Sequence, residues 1–232
     1  MKKIMWIISI LSLVFTAVVL LFVPDSVPMH YDITGEIDRW GSKYENLLFP
    51  AIILLMSLLW HLFISYYEKK SNKASVEKER AEALSNAKVM KIVGVSMASM
   101  FTVMQGFILY SSYVEANSNA THAYIDIGKV SCILVGIIFI VLGNFMPKTK
   151  MNRVAGVRVS WSMYNDTTWM KSNRLGAVAM IIVGVLTIIT TVFTKSSISV
   201  IMLIVYLLVA TVITLIYSYK VYKKELDKSN NL

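Results

Sequence analysis

Cysteine, proline and charge are all scarce in this sequence. A single cysteine, Cys132, allows no internal disulfide, and its place inside an apolar run reads as a small buried hydrophobe rather than a redox centre. The four prolines, Pro24, Pro28, Pro50 and Pro147, fall at or near the ends of apolar runs, where a missing backbone donor costs least. Those runs are therefore expected to form fairly straight helices. Charged residues make up 16% of the chain, against about a quarter in soluble domains. Asp and Glu are absent from every long apolar run, so the intramembrane carboxylate that a proton-coupled transporter wants is missing. The GxxxxGK phosphate loop and the HExxH zinc motif are absent as well, and no serine stands near a plausible base. No internal repeat supports an inverted-repeat transporter.

Apolar length is what the chain does have. Of its 232 residues 56% are hydrophobic, and the mean hydropathy is +0.61, which is too apolar for a water-soluble globule. Six runs approach the roughly 20 residues needed to cross a bilayer: Ile4 to Val23, Leu47 to Tyr67, Ile92 to Val114, Val130 to Met146, Leu175 to Phe193 and Ile198 to Tyr217. The expected fold is an all-α membrane protein of six transmembrane helices in a single domain, 1–232. The first run follows Lys2 and Lys3 but is longer than a signal core and precedes no small-x-small cleavage site, so it reads as a retained anchor. With both termini cytoplasmic, 19 of the 23 Lys and Arg residues lie on the inner side. The outer side then holds Arg39, Lys43, Lys129 and Lys195 against seven carboxylates, Glu115 among them. The net charge of +9 is thus a topology signal and calls for no nucleic-acid partner.

Between the second and third runs, 68–91 is rich in charge and helix formers, and is expected to extend the second span as a helical arm before turning back. Lys220 to Leu232 reads as a basic tail beside anionic lipid. His61, Gln105 and Asn144 bring polarity into the spans, where interhelical hydrogen bonding accounts for them.

The outer loop 24–46, PDSVPMHYDITGEIDRWGSKYEN, is stiffened by two prolines, and Gly35 and Gly41 are placed to supply turns. His30, Asp32, Glu36 and Asp38 are metal ligands by residue type, but their spacing matches no defined site. An acidic, turn-rich surface for a cationic or amphipathic peptide is the stronger reading. The inner loop 147–176 packs six basic residues, two tryptophans and two glycines into thirty positions. Within it, Asn165 is placed as a helix cap, with Asp166 in the first turn and Trp169 and Asn173 on one face. It reads either as an interfacial helix anchored by tryptophan and anionic lipid or as a docking site for a protein or peptide.

Both loops resemble those of the SdpI-type immunity family, bacterial membrane proteins that protect producer cells from a secreted killing peptide. The first loop matches the family pattern at Pro24, Pro28, His30, Gly35, Asp38, Gly41, Ser42 and Lys43. The second matches at Gly143, Asn144, Pro147, Asn152, Gly156, Arg158, Trp161, Trp169, Lys171, Arg174 and Gly176. The chain departs from the pattern at Val159 and Ser160, where relatives often carry Thr-Pro, and at Asp166 and Thr167, where an acidic pair is usual.

The resemblance implies a non-enzymatic, cofactor-free protein of the bacterial plasma membrane. It further implies that His30, Asp32, Gly35, Asp38, Trp40, Ser42 and Lys43 face a secreted toxin peptide, and that the inner loop stabilises the fold or captures a cytosolic transcriptional repressor. A membrane receptor without an immunity role and a small-molecule or peptide exporter remain the alternatives.

Overall fold

The structure is a computed structural model and describes residues 1–32, 34–152 and 154–230; Ile33, Arg153, Asn231 and Leu232 lie outside the described residues. Six helices account for most of it: α1 (Lys2–Val19), α2 (Leu48–Lys73), α3 (Glu77–Ser118), α4 (Ile127–Phe145), α5 (Asp166–Phe193) and α6 (Ser196–Asn230). All six are long and apolar enough to cross a membrane, so the all-α, six-span reading holds. One element was not foreseen. The loop after α1 folds into an antiparallel pair of strands, β1 (Ser26–Tyr31) and β2 (Ile37–Ser42), followed by a short 3-10 turn over Lys43–Leu47.

The 42 residues of α3 would run about 63 Å at 1.5 Å per residue, roughly twice the hydrocarbon thickness. The excess pairs with the end of α2 as a helical hairpin arm, closed by Lys91 Nζ on Glu68 Oε1 at 2.6 Å. The described residues form two compact units, one of 1–61 with 94–131, the other of 62–93 with 132–232.

In the first unit α1 turns a stripe of small polar residues inward. Met5, Ser9, Ser12 and Thr16 recur every three or four positions and are buried, while Ile7, Leu11, Val14 and Val18 stay exposed. Ser9 Oγ bonds Ser57 Oγ on α2 at 2.6 Å, Trp6 Nε1 donates to His61 Nδ1 at 3.1 Å, and Gln105 Nε2 on α3 donates to Thr16 Oγ1 at 3.3 Å. His61 and Gln105 thus tie helices together. Asn144 differs: its side chain is exposed, because it projects from the last turn of α4.

In the second unit α4 and α5 meet backbone to backbone. A Cβ added at Gly136 would lie 2.8 Å from the carbonyl oxygen of Gly184, and one at Gly143 would lie 2.8 Å from that of Ala177. Each pair is spaced by seven residues, two helical turns, which aligns small residues along one seam. Ser172 Oγ to Ser218 Oγ at 2.8 Å and Thr190 Oγ1 to Tyr206 Oη at 2.9 Å then join α5 to α6.

Gly136→Val is expected to lower the stability of the purified protein by about 1–3 kcal/mol, because the added carbons push against the Gly184 carbonyl and the branched Ile188 side chain, both 2.8 Å from where the Cβ would be. Gly106→Val, where an added Cβ meets nothing within 4 Å, should shift it little. Equal losses from the two substitutions would contradict the α4–α5 seam.

Candidate functional site

The two ordered loops hold nearly all the chemistry outside the spans, and each is built differently. In the first, β1 pairs β2 with Ser26 opposite Ser42 and Pro28 opposite Trp40, and the register shifts around His30. The turn between the strands is organised by Asp32, whose Oδ1 accepts from the backbone amides of Thr34 and Glu36 at 2.8 Å and from the Thr34 hydroxyl at 2.8 Å. Gly35 takes φ +87° there, a conformation glycine adopts without steric cost. The Thr34 hydroxyl, then the Glu36 amide, hold the Asp32 carboxyl below the usual carboxylate range.

Gly41 supplies no turn. It sits inside β2, outside the positive-φ region, and is small because a Cβ would strike the Glu45 carboxylate and approach Met29 Cγ to 2.9 Å. Glu45 is held there by the Ser42 amide at 3.1 Å and by Arg39 at 3.1 Å, with Ser42 capping the 3-10 turn. Lys43 is spent internally: its ammonium reaches Asp25 Oδ1 at 3.0 Å and the Val23 carbonyl at 3.1 Å, and its side chain is only 13% exposed. His30 Nδ1 lies 2.6 Å from Asp38 Oδ1 on the exposed face, and Trp40 is 41% exposed. Among the described residues no group of three or more His, Cys, Asp or Glu converges on a metal position. Asp32 serves the turn while His30 and Asp38 serve each other, which is why these ligand types do not gather.

The residue that anchors this hairpin drew no attention in the sequence. Glu115, counted only among the carboxylates of the outer side, lies in the last turn of α3 and is completely buried. Its Oε2 accepts from the Tyr31 hydroxyl at 2.6 Å, and its Oε1 accepts from Ser111 Oγ and the Tyr124 amide, each at 2.6 Å. Burial, then the bond to Glu115, pushes the Tyr31 phenol well above its ordinary pKa, keeping it a donor. A signal was available. Gln105, Leu109, Ser112 and Glu115 follow one another at spacings of four, three and three, so the buried face of α3 continues through Glu115. The segment before α4 completes the fixation: Ile37 N donates to the Thr121 carbonyl at 2.9 Å and Ala123 N to that of Gly35 at 2.8 Å.

The signature loop, 147–165, contains no regular element beyond the 3-10 turn Met146–Lys148. Side-chain amides and hydroxyls order it instead. Buried Asn152 accepts from the Val154 and Ala155 amides at 2.9 Å and donates to the Lys150 carbonyl at 3.0 Å. Asn173 accepts from Val157 N at 2.9 Å and donates to the Trp169 carbonyl at 2.9 Å. Ser162 Oγ donates to the Val157 carbonyl at 2.6 Å. Gly156, at φ +119°, lies against Asn173, and a Cβ there would also come within 3.1 Å of the Trp169 ring.

Asn165 caps α5 through the Thr168 amide at 2.8 Å, as its sequence predicts. The separate interfacial helix does not form, because α5 runs unbroken from Asp166 into the span. Trp169 is accordingly buried, 3% exposed, with its indole donating to the Thr149 carbonyl at 3.3 Å. Trp161 packs edge-on to Tyr219 of α6 with ring centroids 5.8 Å apart. Lys171 pairs with Glu225 at 3.3 Å, while Arg158 and Arg174 are exposed and Pro147 lies in the 3-10 turn. Of the inner-loop candidates, then, Asn152, Gly156, Trp169 and the cap shape the loop, and Arg158 and Arg174 face outward.

These features define a polytopic α-helical membrane protein carrying two structured loops, one in each unit. Residues 7–54, containing the whole hairpin, match a domain of unknown function, DUF1648, and residues 148–218, containing nearly all the signature loop, match the SdpI/YfhL protein family. Over 227 residues the chain is 24% identical to the Immunity protein SdpI of Bacillus subtilis (strain 168), covering 97% of this chain and 98% of that protein. No solved structure matches. The chain is thus similar to SdpI-type proteins, and its six apolar helices are those of a multi-pass protein of the bacterial membrane.

Glu115→Ala should cost on the order of 3 kcal/mol, since it leaves three buried donors without an acceptor, and should raise amide exchange across 26–46. Unchanged exchange there would contradict the anchoring role. The hydrogen bonds around Asp32 stabilise the turn fully above the ordinary Asp pKa, and this stabilisation is lost as pH falls through the lowered folded value. The Glu36 amide resonance should therefore titrate with a midpoint below that of a free Asp, and Asp32→Asn should abolish the titration.

Proposed function

We propose that this chain is a non-enzymatic immunity protein that protects the cell making it from a secreted killing peptide. The observation that carries the reading is its similarity along 97% of its length to a protein described as an immunity protein, with both ordered loops inside family-matched segments. The hairpin is the surface offered to the toxin. Its exposed His30, Asp38 and Trp40 present an acidic and aromatic face on a frame held by Glu115, suited to a cationic or amphipathic peptide. The distribution of Lys and Arg supports placing this hairpin outside the cell and the signature loop inside. On the inner face, exposed Arg158 on the signature loop and Arg174 on α5 suit capture of a soluble transcriptional repressor.

A toxin-sensitive bacterium expressing the chain should survive challenge with a sporulation-delaying-type peptide. The combined His30→Ala, Asp38→Ala, Trp40→Ala protein, at matched membrane abundance, should lose that protection. Survival of the triple variant would remove the hairpin from toxin recognition, and death of cells carrying the parent chain would remove immunity toward that peptide. Arg158→Ala with Trp161→Ala should abolish co-purification of the repressor while sparing survival.

A further inference from the structure

The second unit contains an apolar groove whose apolar lining no role above uses, although Arg158 at its rim is also assigned above to repressor capture. It has a volume of about 250 Å³ and runs between α5 and α6, with the backbone of Gly156–Val159 closing one end. Small residues create it. Ala179 on α5 and Ala210 on α6 both line it, where larger side chains would have filled the space, while Gly176 makes room for Val157 and Met146, whose atoms lie 2.7 and 2.8 Å from where its Cβ would be. From Gly176 to Val183 the groove follows seven residues of α5, about 10 Å of helix rise, toward Leu207 at its deep end. Water does not fill an apolar space of this kind, whereas a hydrocarbon chain entering from the bilayer does.

The end closed by the signature loop carries the only charged lining residue, Arg158. Its guanidinium donates to the Val154 carbonyl at 3.4 Å and forms no ion pair among the described residues, leaving most of its five N–H groups free. An apolar slot about 10 Å long, ending at one unneutralised guanidinium at loop level, has the polarity to take a lipid phosphate and the length of the upper part of its acyl chain, the rest of which lies in the leaflet about 15 Å deep. The distribution of Lys and Arg puts this end in the cytoplasmic leaflet, where anionic lipids gather.

We propose that the groove holds one anionic phospholipid, with an acyl chain along Gly176–Val183 and its phosphate on Arg158. The bound lipid braces the signature loop against α5 and α6, so the loop's order depends on the leaflet beneath it. This goes beyond the immunity reading and stands or falls separately from it.

The test is native mass spectrometry of the full chain, equilibrated with equal amounts of phosphatidylglycerol and phosphatidylcholine of matched acyl chains. The parent is expected to retain one lipid with about a tenfold preference for the anionic headgroup. Arg158→Ala should keep a lipid but lose the preference. Arg158→Lys should keep part of it, because a point charge replaces a forked donor. Ala210→Phe, which fills the groove, should retain less lipid of either kind, and Ala179→Leu serves if that variant does not fold. Lys148→Ala, a neighbouring exposed cation outside the groove, should match the parent. Retention without headgroup preference in the parent would mean ordinary surrounding lipid and would overturn the proposal. So would unchanged selectivity in Arg158→Ala, undiminished retention in both groove-filling variants, or a peptide held where the lipid should be.

Discussion

A bilayer offers no water to a buried hydroxyl or amide, so most find a partner inside the protein, Ser12 Oγ, Thr102 Oγ1 and Gln105 Oε1 being exceptions among the described residues, and this requirement orders the rest of the structure. The helices are apolar toward lipid and polar toward one another. Ser9, Thr16, Thr187 and Thr191 each donate to the carbonyl four residues earlier, at 2.7–2.9 Å, which removes the donor at no cost to the helix ladder. Small residues and hydroxyls join large hydrophobes such as Met5, Ile53, Ile64 and Leu109 in the contacts between helices. Glycine against backbone joins α4 to α5, and serine against serine joins α1 to α2 and α5 to α6.

The same requirement explains how two loops without much core of their own come to be rigid. The hairpin satisfies its backbone by strand pairing and rests on one buried carboxyl that takes three donors from three different segments. The signature loop has no strand partner, so asparagine side chains replace backbone partners: Asn152 within the loop, Asn165 at the cap and Asn173 from α5. Arg158 and Trp40 are displayed on frames whose polar groups are already committed. A recognition surface built this way loses little entropy when it binds.

How far the sequence could be read follows from the range of each interaction. The six spans were legible because hydrophobic length is a local property, and the Asn165 cap because a cap needs only its own next three residues. The hairpin was not, since Pro28 lies within β1 and the turn is held by an Asp32 side chain rather than by a two-residue glycine turn. The anchoring role of Glu115 was not legible because its donors come from residues 31, 111 and 124, the first of them 84 positions away. Trp169 was given to the interface on its amphipathic character, whereas the fold buries it under the loop that precedes it.

By itself the sequence determined that the chain lives in a membrane, how many apolar runs are long enough to cross it, and which two loops bear the family pattern. These depend on composition and short-range pattern, which need no partner residue. The tertiary structure alone decided which of the loop residues are scaffold and which are surface: Lys43, Lys171 and Trp169 are drawn into internal contacts, and His30, Trp40 and Arg158 are left facing out. That division rests on ion pairs and hydrogen bonds between residues far apart in the chain, such as Tyr31 and Glu115, which are 84 positions apart, and only a folded chain brings such residues together.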